Sequence, residues 1–281
     1  MGTSINSFCV LIAASHARSL LAYQSDMSRR SLRGSLRFIP QNKFLEAPKY
    51  LLYILTWLML CAAAPVLAAP PVSVRATYDV YKSGLQVEIK EAYTRDKDRY
   101  TLSSVWTPVG LLALLKPERI LIDSSGLIGK QGLQPLLLDH RRELDESKNS
   151  RAEFDWDNKQ LTLIHQAQRK VVALPAGTQD RLSVMYQFMF LSLQNTDTLD
   201  FPMTNGSKLD HYHYAITHNQ TVKVPAGEFK AIYLDNQAKP GESRTEIWLA
   251  TQFHNLPCKM IVTEANGDQF TQVLSKLETR P

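Results

Sequence analysis

The sequence has 281 residues, with 32 lysines and arginines against 27 aspartates and glutamates and only three cysteines. Seven basic residues against two acidic ones before position 70 account for the whole net charge of +5, so the remainder, 25 against 25, is neutral. A neutral folded part lacks the basic footprint of a nucleic-acid-binding module, and a lone cysteine after position 70, Cys258, excludes an internally disulfide-stapled scaffold.

The first element in chain order is an uncharged apolar run over residues 51–69, LLYILTWLMLCAAAPVLAA. A basic segment, an apolar core and a small-x-small end at Val66-Leu67-Ala68 form an export signal with cleavage after Ala68, which sends the chain to the periplasm. The alternative is an uncleaved inner-membrane anchor, because the run is long enough for a hydrocarbon core of ~30 Å. Pro65 and the alanine-rich end favour cleavage. The expected organisation is a basic leader over 1–69 and a single β-rich domain over 70–281.

Alternation of period two begins at once. Ala76, Tyr78 and Val80 share one face of a strand over 74–82; after Ser83-Gly84, Leu85, Val87 and Ile89 do the same. This is a hairpin with one buried face. Strands are expected next at 99–106, 119–123, 136–140, 152–156, 160–165 and 169–174, then at 198–203, 211–217, 221–224, 228–235, 245–250, 258–263 and 269–277. Glycine, proline, asparagine and aspartate punctuate them, as in an antiparallel sheet, sandwich or barrel.

Two segments break the rhythm. The first, TPVGLLALLKP over 107–117, is too short to span a bilayer. It reads as a buried helix of one and a half turns, with an exposed apolar lid or membrane-touching loop as the sharper alternative. In the second, Leu182, Met185, Tyr186, Met189, Phe190 and Leu193 recur at helical spacing, while Val184, Phe188 and Leu191 fall off that stripe. A helix over 180–193, N-capped by Thr178, is therefore apolar nearly all round. Such a helix must be enclosed, so the expected fold is mainly β, a curved antiparallel sheet or partly open β-barrel enclosing one apolar α-helix.

No local motif carries chemistry. His211 and His213 share a strand face with no Cys or carboxylate to complete a metal set, and Tyr212, Tyr214 and Ile216 are the better core side. Cys258, beside Pro257, has no adjacent histidine or second cysteine and reads as a small buried hydrophobe. Trp106, Trp156 and Trp248 read first as packing residues. No catalytic residue, metal or cofactor is assigned.

Several segments resemble an uncharacterised family of exported Gram-negative bacterial proteins, domain-of-unknown-function family 3108. They are YDVYKSG from Tyr78 to Gly84, the 110–115 run, 126–135, 154–156, LPAGTQDRLSV from Leu174 to Val184, VPAGEF from Val224 to Phe229, and EIWLA from Glu246 to Ala250 with Leu256-Pro257. The resemblance implies a curved antiparallel sheet, a tight turn at Pro225-Ala226-Gly227 and a central strand at 246–250. It implies no known activity.

The functional expectation is a non-catalytic periplasmic binding or carrier protein for an apolar or lipid-like ligand. Its candidate ligand-binding residues are Leu111, Leu112, Leu115, Met185, Met189, Phe190 and Trp248. The alternative is an envelope structural or assembly factor whose partner is another envelope protein, docked on a strand edge or loop. Membrane contact is expected only through the leader or the 110–115 loop.

Overall fold

The structure, a computed structural model, describes residues 69–281. The 51–68 apolar run and the cleavage site expected after Ala68 lie outside the described residues.

Fifteen strands form one sheet. The first eight are β1 (Ser73–Lys82), β2 (Leu85–Asp96), β3 (Arg99–Val109), β4 (Ile120–Gly129), β5 (Gly132–Arg142), β6 (Ser150–Asp155), β7 (Gln160–His165) and β8 (Gln168–Ala173). The rest are β9 (Gln179–Asp180), β10 (Thr198–Thr204), β11 (Leu209–Val224), β12 (Gly227–Asp235), β13 (Arg244–Ala250), β14 (Leu256–Thr263) and β15 (Gln269–Arg280). Alternating burial on β1, with Val74, Ala76, Tyr78 and Val80 inside, is the pattern the sequence announces. Where two strands were expected at 211–217 and 221–224, one long β11 runs through. It absorbs the irregularity in a bulge between Thr217 and Gln220, with Asn219 at φ 58°. The expected tight turn is present: Val224 pairs with Gly227, whose φ of 142° suits glycine.

The strand order is β8 to β1, then β15 back to β9. Every pair is antiparallel except β9 beside β10, which is parallel. Chain neighbours are therefore sheet neighbours except β8 and β9, which are the two edges, so the ladder is not closed. The halves join where β1 pairs with β15, from Ser73 opposite Arg280 to Lys82 opposite Phe270.

The sheet is nonetheless strongly curled. In a flat sheet, β6 and β10 would lie eleven strands, roughly 50 Å, apart. Instead the Ser150 hydroxyl at the start of β6 donates to the Asn205 carbonyl just after β10, at 3.1 Å. Gln179 of β9 likewise donates its side-chain amide to the Leu133 carbonyl of β5, at 2.8 Å.

The residues between β8 and β10 hold the expected helix in shortened form. It is a single α-helical stretch, α2 (Ser183–Gln187), tightening into a 3-10 turn at Phe188–Phe190 before Leu191 turns extended. Tertiary contacts stop it. Asn255 donates its side-chain amide to the carbonyls of Phe188 and Leu191, while Gln187 is held by Gln131 and Leu133 of the β4–β5 turn. Capping also differs from expectation. The Thr178 hydroxyl donates to the Pro175 carbonyl, and Asp180 takes over, accepting from the amides of Leu182 and Ser183 at 2.8 and 2.7 Å. The shortened helix is less uniformly apolar than expected, since Ser183 and Gln187 both make side-chain hydrogen bonds. Leu182, Tyr186 and Met189 join a core with β1 to β7 and parts of β11 to β15, and Val184 and Phe188 join a second one with β11 to β13.

The other helix, α1 (Leu111–Leu115), corrects the preferred reading of that segment. It is not buried: Leu111, Leu114 and Leu115 are 65%, 82% and 72% exposed. Five residues give little more than a single turn, in which only Leu112 and Ala113 are half-buried.

Candidate functional site

The inner face of the sheet determines what surrounds α2. On β2, period two carries the inward face from Ile89 to Glu91 to Tyr93, and on β3 from Leu102 to Ser104 to Trp106. A carboxylate and an indole therefore enter an otherwise apolar interior. Glu91 is not left bare: its two oxygens accept from the Ser104 hydroxyl at 3.2 Å and the Tyr186 hydroxyl at 3.0 Å. Burial still pushes its carboxyl up to about 7, against the opposing pull of those two bonds.

The approach to α2 is set by a buried polar network. The Ser124 hydroxyl donates to Asp180 at 2.6 Å and lies 3.2 Å from the Tyr100 hydroxyl. Ser183 donates to the Gln179 side chain at 2.9 Å. Asp180 and Ser183 are fully buried, and burial raises the Asp180 carboxyl above its ordinary range despite these bonds. Because successive side chains of extended chain point to opposite sides, fixing Asp180 against β4 turns Arg181 the other way. The Arg181 backbone amide extends the pairing to the Thr204 carbonyl at 2.9 Å.

Arg181 lines a cavity of about 420 Å³ between α2 and strands β2 to β4, β10, β11 and β13 to β15. Its guanidinium carbon stands 5.9 Å from the Trp106 ring centre, within cation–π range. Trp106 in turn stacks on Phe270 at 6.1 Å. Among the described residues no carboxylate lies within ion-pair distance of Arg181. Asp180, its chain neighbour, has its oxygens committed to Ser124 and the two helix amides. Burial lowers the Arg181 guanidinium's affinity for its proton, offset in part by the fields of Asp180 and Tyr212. The apolar part of the wall is Met185 and Phe188 from α2 and its 3-10 extension and Met203, Ile247 and Met260 from the sheet, with Asn205, Thr245, Glu264 and Gln272 among the polar residues beside them.

A second cavity, of about 680 Å³, lies on the far side of Val184, Phe188 and Phe201, which line both. The β4–β5 turn, Gln187, Phe190 and Leu191 line it. Its floor depends on Gly132, at φ 98°, where a Cβ would collide with the Gln187 side chain and come within 2.8 Å of the Phe190 Cβ.

The sequence-based candidates do not converge on one site. Met185 lines the smaller cavity and Phe190 the larger. Met189 is buried in the core, Leu111 and Leu115 are exposed on α1, and Leu112 is half-buried beside them. Trp248 sits on the face of β13 opposite Ile247, packed on Tyr233 at 4.8 Å with the Lys259 ammonium 4.7 Å from its ring centre. Arg181 and Glu91 were not among the candidates. The alternation on β2 places Glu91 inward, and Arg181 is the one charge between Asp180 and the apolar run that follows, so both left a signal.

Other polar groups have local explanations. Cys258 is fully buried, its thiol pushed up to about 12 by desolvation, as befits a packing residue. The His213 Nδ1 lies 2.7 Å from Asp200 on the exposed side of β11, with Tyr214 and Ile216 buried on the other.

No curated protein matches the chain. Among solved structures, it is similar to a β-barrel-like protein of the domain-of-unknown-function family DUF1849 from Brucella abortus, at 10% identity and a TM-score of 0.49, covering 75% of this chain and 99% of that one. It is also similar to a candidate lipoprotein from Parabacteroides distasonis, at 11% identity and a TM-score of 0.31, covering 75% and 97%. The pattern of the family described as protein of unknown function (DUF3108) matches residues 77–275. The match spans most of the 281 residues and nearly the whole sheet, and the chain belongs to that family.

Proposed function

We propose that the protein is a non-catalytic periplasmic carrier or binding protein for an apolar, lipid-like ligand, its curled sheet serving as a partly open barrel around α2. The observation that carries this reading is the 420 Å³ cavity, whose wall sets methionine, aliphatic and aromatic side chains beside a smaller set of polar ones. Its size falls within the ~300–1,000 Å³ typical of small-molecule sites. Methionine walls adapt to irregular apolar shapes, which suits a flexible ligand. The test is native mass spectrometry of the protein isolated from cells expressing the full sequence, followed by solvent extraction. A stoichiometric apolar adduct is expected; a clean apo mass, with no uptake of added fatty acid or phospholipid, counts against the reading.

A second reading, an envelope assembly factor, is favoured by one observation. Leu111, Leu114 and Leu115 on α1, with Leu85 and Tyr81 on the neighbouring hairpin, leave an unusual amount of large apolar surface exposed. On this reading, in-cell crosslinking from α1 captures a reproducible envelope partner, and Leu114→Ser weakens the capture. A crosslink pattern indifferent to that substitution removes the support.

A further inference from the structure

Resting on the carrier reading, we infer that the ligand is a single-chain amphiphile with an anionic carboxylate head, bound with its head at Arg181 and its tail along Met185, Phe188 and Met260. A guanidinium facing an apolar cavity is costly unless something answers its charge. Within the described residues only the Trp106 face answers it, at 5.9 Å. The neighbouring Asp180 carboxylate has both oxygens engaged elsewhere, by Ser124 and the amides of Leu182 and Ser183.

The other charged side chains lining the cavity do not fill the role. Glu91 is tied to Ser104 and Tyr186, and burial favours its neutral form. Glu264 bonds Lys82 at 3.0 Å. The cavity therefore presents a positive charge without a carboxylate partner in the same wall as the apolar side chains of Met185, Phe188, Met203, Ile247 and Met260, a pairing that complements a fatty-acid-like molecule. Arginine's planar fork can meet both oxygens of a carboxylate at once. The Tyr212 hydroxyl, which lines the same cavity and has no hydrogen-bond partner among the described residues, is available as a further donor.

The test uses protein isolated from cells expressing the full sequence, titrated in detergent-free buffer with dansyl-aminoundecanoic acid and with its methyl ester. The two probes share tail and fluorophore and differ in the charge of the head. Wild type is expected to bind the acid about tenfold or more tightly than the ester. Arg181→Met is expected to remove the difference in affinity between the acid and the ester. Equal affinity for acid and ester in wild type overturns the inference and leaves the carrier reading standing. An acid preference that survives Arg181→Met overturns it in the same way. Failure of wild type to bind either probe overturns both. The comparison of probes on wild type does not depend on the variant folding.

Discussion

Glu91 shows how a single side chain can make stability depend on pH. Its carboxyl titrates near 7 in the folded protein against an ordinary value of 4.5, because the interior disfavours its charge. The folded state thus holds this proton more tightly than the unfolded chain does. Stability from this group is complete below about 4.5, falls as pH rises to about 7, and stays at the lower level beyond. The full difference is at most about 3 kcal/mol. Glu91→Gln, which keeps an acceptor for Tyr186 or Ser104 without the charge, is expected to melt higher than wild type at pH 8 and to match it at pH 4. Thermal denaturation followed by circular dichroism across that range checks this. A Gln variant that is less stable at both values would mean that the ionised carboxylate is favourable where it sits.

At the scale of elements, α2 separates two roles that its apolar stripe does not distinguish. Phe188 is buried between the two cores, whereas Phe190 is only half-buried, at the rim of the larger cavity. Phe188→Ala is expected to cost about 3–5 kcal/mol as a core truncation. Phe190→Ala should cost clearly less, since the space it vacates is already open. Chemical denaturation of the two variants checks the order. The strands were legible because alternation reports a half-buried ribbon directly, as Val74 to Val80 illustrate. The length of the helix was not, because what stops it after Gln187 is the side chain of Asn255, far away in sequence. The exposure of α1 was not legible either. An apolar pentapeptide looks alike in sequence whether it lies inside a core or, as here, on a surface. For the cavity, the sequence offered Glu91 and Arg181 as anomalies of pattern, but only the packing of β2 and β3 around α2 brings them to one space.

For the whole molecule, an unclosed ladder leaves two strand edges to protect. β9 is a two-residue strand tied to β5 by Gln179, so it offers little to a second chain. β8 is longer and exposed, and it carries Arg169 and Lys170. Charged side chains on an edge discourage pairing between copies. Replacing both, Arg169→Val with Lys170→Thr, is expected to leave the melting temperature nearly unchanged, as for other surface changes. It should promote concentration-dependent association visible by light scattering. A double variant that stays monomeric at high concentration would show that these charges do not guard the edge.

The pairing of β1 with β15 also sets a timetable. Two strands far apart in sequence share a ladder in the middle of the sheet, with Val74 opposite Thr279. As the chain emerges from its N-terminal end, β1 to β8 can zip as a meander, but β1 has one side unpaired until β15 arrives. Contacts this distant in sequence are slow to form. The inward tyrosine and valine face of β1 stays incompletely covered throughout that wait, which makes the nascent chain a natural client for a holding chaperone.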